Sequence, residues 1–349
     1  MGATEGDAWR YTDGSVRPPH ATLWTVLAAL VAHIFLWPVV AAALLVALAR
    51  SGAGGGYAAG AVLGGYALWL LADRAASHAG RYAPWFVRPW VRAHHTFPVK
   101  TLLWAGAQFE STPVEGHAAV YDCERRTYIF AMSPHGAIPV GAAVFAPQIA
   151  RWPAIASRLR IGVHSALFRV PIIREFYLAF GAVSASRGTL LHQLRDLRHS
   201  VLLLPGGVQE QLLVVPDGTE TVLLRSRKGF VRLAVETGSP LVPVFVFGER
   251  QAYKLNDGVF LSISRALKRL LGIGLPLPRG RWWTMMWLPT ALTIVVGRPL
   301  EPPPRAAEAG PPTDAEVDAL HARFCDAMAA LHEEHKDAAG HGHVTLDIR

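Results

Sequence analysis

From Leu23 to Ala49 the chain carries no Asp, Glu, Lys or Arg. At about 1.5 Å of rise per residue, a helix over that run exceeds a hydrocarbon layer roughly 30 Å thick. It is too long, and begins too far from Met1, for the apolar region of a secretory signal, which runs about 7 to 15 residues. Ser51-Gly-Ala-Gly-Gly-Gly56 follows, then a second apolar stretch, Tyr57 to Ala72, closed by Asp73 and Arg74. The pattern predicts two membrane helices joined by a glycine turn. Pro38 and His33 inside the first run also admit a kinked or re-entrant path. Arg10 and Arg17 precede the pair, Arg74, Arg81, Arg88, Arg92 and Lys100 follow it, and only Arg50 flanks the loop. That asymmetry places both outer ends in the cytosol. From Tyr82 to Lys100, Trp85, Phe86, Trp90 and Phe97 mix with Arg88, Arg92, His94 and His95, as suits a segment at the headgroup boundary.

Composition agrees with membrane contact: 51% of residues are hydrophobic and 17% charged, against about a quarter charged in soluble domains. The excess of 34 Lys and Arg over 26 Asp and Glu suits anionic headgroups, phosphorylated substrates or nucleic acid. The basic residues are scattered and lack interleaved stacking aromatics, so nucleic acid is not an expected partner. Two cysteines, Cys123 and Cys325, supply neither a disulfide framework nor a cysteine zinc site and fit a reducing compartment.

Beyond residue 100, short β-rich runs alternate with helical stretches, which predicts an α/β domain with a mainly parallel sheet. Candidate strands are 127–132, 181–184, 201–204, 241–247 and 292–296; helices are expected over 188–199, 226–237 and 314–336, the last capped by Thr313 or Asp314. The organisation expected is a cytosolic tail (1–20), a membrane hairpin (21–74), an interfacial segment (75–100) and a catalytic domain (101–340). Ser133-Pro-His-Gly136, Pro205-Gly-Gly207, Gly248-Glu249 and Gly297-Arg-Pro299 lie just past strand ends, where open α/β sheets place their ligands.

His135, fixed at a turn between Pro134 and Gly136, suits a general base: it can take the proton of an alcohol attacking a thioester and pass it to the leaving thiolate. The plain alternative is a turn histidine capping nearby carbonyls. Gly206 and Gly207 would let backbone N–H groups approach an oxyanion or phosphate. Glu210 could orient the imidazole, engage a basic residue, or serve as a helix-start acid. Arg225, Arg227 and Lys228, running into Gly229 and Phe230, could anchor the phosphates of coenzyme A, or form a solvated basic helix start. His332-Glu-Glu-His335 has the wrong spacing for a zinc-protease helix, no Gly-x-Ser-x-Gly elbow occurs, and His341-Gly-His343 reads as a polar tail.

Tyr128-Ile-Phe…Ser-Pro-His-Gly-Ala-Ile-Pro-Val-Gly141, Pro205-Gly-Gly-Val-Gln-Glu210, Arg227-Lys-Gly-Phe-Val-Arg-Leu-Ala234 and Pro240-Leu-Val-Pro-Val-Phe-Val-Phe-Gly-Glu249 together resemble the diacylglycerol acyltransferase type 2 family in order and spacing. The likeness runs from the apolar hairpin to the C-terminal helix, Arg174-Glu175 and Val183-Ser-Ala-Ser-Arg187 included. It implies a membrane-anchored glycerolipid-acyltransferase-like fold and His135 as the catalytic histidine. It also implies acyl-CoA as donor with no other cofactor, diacylglycerol as acceptor, and an endoplasmic-reticulum location with the lipid droplet as a second one. Monoacylglycerol, long-chain alcohols and sterols remain alternative acceptors, and a catalytically silent lipid-binding protein is the rival class. Two positions depart from the pattern. Ser133 stands where animal members have His and plant members Glu. Pro139 and its neighbours lack the aspartate that the wider glycerolipid acyltransferase group pairs with its histidine, which makes Glu210 the first candidate partner. Oligomeric state is left open.

Overall fold

The computed structural model describes residues 9–13, 37–83, 99–104, 125–142, 158–213, 218–255, 290–305 and 310–349, with isolated positions at 145, 262, 266, 269, 278–279 and 288. The expected helix start at Leu23 and most of the interfacial segment (84–98) lie outside these residues.

In chain order the elements begin with β1 (Trp9–Asp13), α1 (Trp37–Arg50), α2 (Ala53–Ala72), β2 (Val99–Trp104), β3 (Ile129–Ser133), β4 (Leu159–Val163), α3 (Ile173–Ala179) and β5 (Ala182–Ser184). They continue with α4 (Arg187–Leu191), β6 (Ser200–Leu203), α5 (Gly207–Gln211), β7 (Thr219–Val222), α6 (Gly229–Thr237) and β8 (Leu241–Phe247). The two-residue strands β9 (Lys254–Leu255) and β10 (Pro278–Arg279), then β11 (Leu292–Val296), α7 (Asp314–His335) and β12 (Thr345–Ile348) complete the order.

The glycine turn is shorter than its sequence suggests. α2 already begins at Ala53 and takes in Gly54, Gly55 and Gly56. A methyl at Gly55 would stand 2.1 Å from the Leu48 carbonyl oxygen, so glycine there lets the two helix ends approach. Pro38 stands in the first turn of α1, where its missing N–H costs nothing. α2 is long and apolar enough to cross a membrane by length and composition, and Leu44, Val46, Tyr57, Val62, Leu68 and Leu71 are exposed along the two helices. Buried charge ties the end of α2 to the body. Arg174 is fully buried and bonds Asp73 at 2.6 Å and Glu175 at 2.5 Å, while Arg81 spans the same two carboxylates and lies over the Trp69 ring.

The body is built on an eight-stranded sheet of order β1-β2-β11-β8-β3-β6-β4-β5. β8, β3, β6, β4 and β5 are parallel, with Ile129 opposite both Val201 and Leu241. β11 is antiparallel to β8 and parallel to β2, and β1 closes the edge antiparallel to β2. The mixed α/β class with a mostly parallel sheet follows the sequence reading. Alternation divides the core: Phe130, Met132, Val242, Val244 and Val246 pack on one face, and Ile129, Ala131, Val201, Leu203 and Phe245 on the other, under α4, α6 and α7. α7 starts with a complete capping box between Thr313 and Glu316.

Two details differ from expectation. Because β11 runs antiparallel to β8, Gly297-Arg-Pro299 lies beside the start of β8, with Gly297 N–H on the Pro243 carbonyl and Leu300 paired to Leu241. It is on the edge opposite the other three strand-end turns. The residues after His341 turn into β12, which pairs in parallel with β7, so the ordered body continues to Arg349.

Candidate active site

β3, β6 and β8 run side by side in the same direction, so the turns that leave them converge at one edge. Ser133 and Pro134 are joined by a cis bond and buried, and His135 is half-buried behind them. His135 Nδ1 lies 3.0 Å from the Gly136 carbonyl oxygen. A carbonyl only accepts, so this bond forms when Nδ1 carries the hydrogen, leaving the lone pair on Nε2. Burial holds the imidazole below its ordinary range, opposed by the carbonyl bond and by the charge of Glu210. The ring is therefore neutral at neutral pH and competent as a base. Gly136 has φ +61°, a conformation that glycine adopts without strain.

Glu210 reaches this turn, but not as an imidazole partner. It is fully buried, and its Oε1 accepts from the backbone N–H of His135 at 2.5 Å while Oε2 accepts from Leu223 N–H at 2.7 Å. The sequence-based expectation of a Glu210–imidazole bond is corrected on that point: the acid holds the main chain that carries the ring. Gly206 makes room for it, since a methyl there would fall 2.0 Å from Glu210 Oε2. Gly207 (φ +56°) makes the turn itself, and its N–H is used by the Leu204 carbonyl. These two glycines serve the turn and the carboxylate. Gln211 adds a third tie, donating to the Ala137 carbonyl at 2.6 Å.

The basic run divides. Arg225 is exposed and donates to the Ile348 carbonyl at 2.7 Å. Lys228, also exposed, pairs with Asp318 of α7 at 2.6 Å. Arg227 turns toward α5 and bonds Gln209, with its Nε buried and without a hydrogen bond among the described residues. Gly229 opens α6, and Phe230 is buried edge-on against Phe324, 5.0 Å between centroids. Of these five residues, Arg227 is the one held against the loop of Glu210.

Three charged residues escaped the sequence reading as site components. Glu249, 1% exposed, accepts from Val140 N–H and Gly141 N–H, each at 2.7 Å. Arg250 bonds the Glu220 carboxylate and the carbonyls of Thr221 and Leu213, joining the β8 turn to β7 and the end of α5. Burial pushes Glu220 up to about 7 and Glu249 up to about 8. Gly248-Glu249 was visible as a strand end. Glu220 had no comparable signal.

The sequence model described as diacylglycerol acyltransferase matches residues 59–349, most of the chain. The chain belongs to the diacylglycerol acyltransferase family. Similar curated proteins include 2-acylglycerol O-acyltransferase 3 of Homo sapiens, 30% identical over 293 residues that cover 79% of this chain and 80% of that protein. Diacylglycerol O-acyltransferase 2-like protein 6 of Bos taurus is 31% identical over 293 residues, covering 77% and 80%. Diacylglycerol O-acyltransferase 2B of Umbelopsis ramanniana is 29% identical over 290 residues, covering 78% of each chain. The acyltransferase match starts within α2 and includes all three converging turns.

Proposed function

We propose that this acyltransferase moves a fatty acyl group from coenzyme A to the free hydroxyl of diacylglycerol, giving triacylglycerol, with His135 as general base. The observation that carries the reading is the bond from His135 Nδ1 to the Gly136 carbonyl, which leaves Nε2 for substrate. Nε2 takes the hydroxyl proton as the alcohol oxygen attacks the thioester carbonyl carbon. The tetrahedral intermediate collapses, the carbon–sulfur bond breaks, and the thiolate leaves with the proton returned by the imidazolium. Arg227, held beside the Glu210 loop with a guanidinium N–H still to place, serves the phosphates of the donor. α1 and α2 form the membrane hairpin, so acceptor and acyl chain arrive through the bilayer of the endoplasmic reticulum and coenzyme A from the cytosol.

The likeness to 2-acylglycerol O-acyltransferase 3 supports monoacylglycerol as the second reading of the acceptor. Purified protein in lipid nanodiscs, given labelled acyl-CoA with diacylglycerol, monoacylglycerol, a long-chain alcohol or a sterol in separate reactions, decides between them. The highest kcat/KM is expected for diacylglycerol. A higher value for another acceptor replaces that assignment, and no transfer to any acceptor favours the silent lipid-binding class.

A further inference from the structure

Glu249 ends the turn after β8, yet its carboxylate serves a different segment, the one that leaves β3 through His135. Its two oxygens accept from two successive amides, Val140 and Gly141. The fit is close on both sides of that segment. A methyl at Gly136 would stand 2.8 Å from Glu249 Cγ, and one at Gly141 would stand 2.6 Å from Oε2. Glu210 holds the first residue of the same segment through the His135 amide, and Gln211 holds the carbonyl of Ala137. The stretch from His135 to Gly141 is thus clamped at one end from the β6 turn and at the other from the β8 turn.

A fully buried carboxyl group is expensive unless its polar atoms are met by hydrogen bonds. An apolar side chain would fill the same space without that cost, but it would leave two buried amides unmatched and the far end of the segment unheld. The imidazole is the one titratable side chain that the clamped stretch presents. We propose that Glu249 is a positioning residue for acyl transfer: by holding the amides of Val140 and Gly141 it fixes where His135 Nε2 stands relative to the thioester. The inference rests on the reading of His135 as the base. Glu249 touches neither substrate nor the reacting atoms; it acts through the loop.

Misplacing a reacting group by about 1 Å costs on the order of 100-fold in rate. The test compares Glu249→Gln, Glu249→Ala and His135→Ala in the full-length protein in nanodiscs. It also includes the double variant Glu249→Gln/His135→Ala, and kcat and KM are corrected for the folded fraction. Gln keeps shape and one acceptor oxygen, so it guards against a variant that only fails to fold. Expected are a kcat about 100-fold lower for Glu249→Ala, an intermediate loss for Glu249→Gln, and an unchanged KM for acyl-CoA. In the His135→Ala background, Glu249→Gln should lower the residual rate no further. A kcat for Glu249→Gln equal to wild type, or a loss that persists undiminished without His135, overturns the positioning role. Full activity in His135→Ala alone overturns the base assignment instead, and the inference falls with it.

Discussion

Glu210 holds the backbone N–H of His135 at 2.5 Å, while the imidazole of His135 turns its Nδ1 to the Gly136 carbonyl. The acid therefore influences the imidazole through the main chain and through its charge. That charge favours the imidazolium, so Glu210→Gln lowers the pKa of the His135 imidazole and, with His135 acting as proposed, moves the acidic limb of the pH–rate profile to lower pH. An unmoved limb would show that the carboxylate charge is not felt at the ring. Glu210→Ala leaves two part-buried amides without their acceptor, which costs up to about 1–3 kcal/mol each, and a lower unfolding midpoint checks it.

Gly206 and Gly207 look equivalent in sequence but bear different loads. A side chain at 206 meets the Glu210 carboxylate at 2.0 Å, whereas at 207 it meets open space and only a positive φ. Gly207→Ala should cost the left-handed penalty of about 1–2 kcal/mol. Gly206→Ala should cost more in stability and also lower kcat, because the displaced acid no longer holds His135. Equal effects in thermal unfolding and turnover would refute the distinction.

Glu249 and Glu220 give the fold a pH dependence of known sign. Burial raises them to about 8 and about 7 from an ordinary value of 4.5. In the native state they hold protons that the unfolded chain releases. Their contribution is complete below pH 4.5 and fades as pH rises toward about 7 for Glu220 and about 8 for Glu249. Denaturation midpoints measured from pH 5 to 9 should fall across that window, and Glu249→Gln should flatten its upper part. An undiminished slope in the Gln variant contradicts the assignment.

How far the sequence could be read depends on whether a feature is local. β8 and β11 lie where their β-branched runs and bounding glycines put them, and the Thr313 cap starts α7 as expected. The direction of β11 is not local. It follows from pairing with β8 and β2, and it carries Gly297-Arg-Pro299 away from the converging turns. Likewise, nothing next to Arg225 or Lys228 announces that Ile348 and Asp318, roughly a hundred residues on, occupy them. His135 was legible because Pro and Gly frame it. The destination of Glu210, a backbone amide seventy-five positions earlier, is visible only in the fold.

The junction between α2 and the body makes its own prediction. Arg174, 2% exposed, is bonded to both Asp73 and Glu175. Removing one member of a buried ion pair costs about 3–5 kcal/mol, and because Arg81 still pairs with Asp73 and Glu175 the loss falls at or below the low end of that range. Arg174→Ala should therefore lower the unfolding midpoint and open the stretch from Asp73 to Arg81 to limited proteolysis. Unchanged stability and cleavage would mean that the helix is held by other contacts.

The central claim, transfer of an acyl group with His135 as base, is most directly tested in cells lacking triacylglycerol synthesis. Wild type and His135→Ala are expressed at equal membrane abundance, and labelled fatty acyl groups are traced into neutral lipid. The account predicts labelled triacylglycerol from the wild type and a loss of at least about 100-fold in the variant, the low end of what a general base contributes. Equal triacylglycerol from both proteins would contradict it.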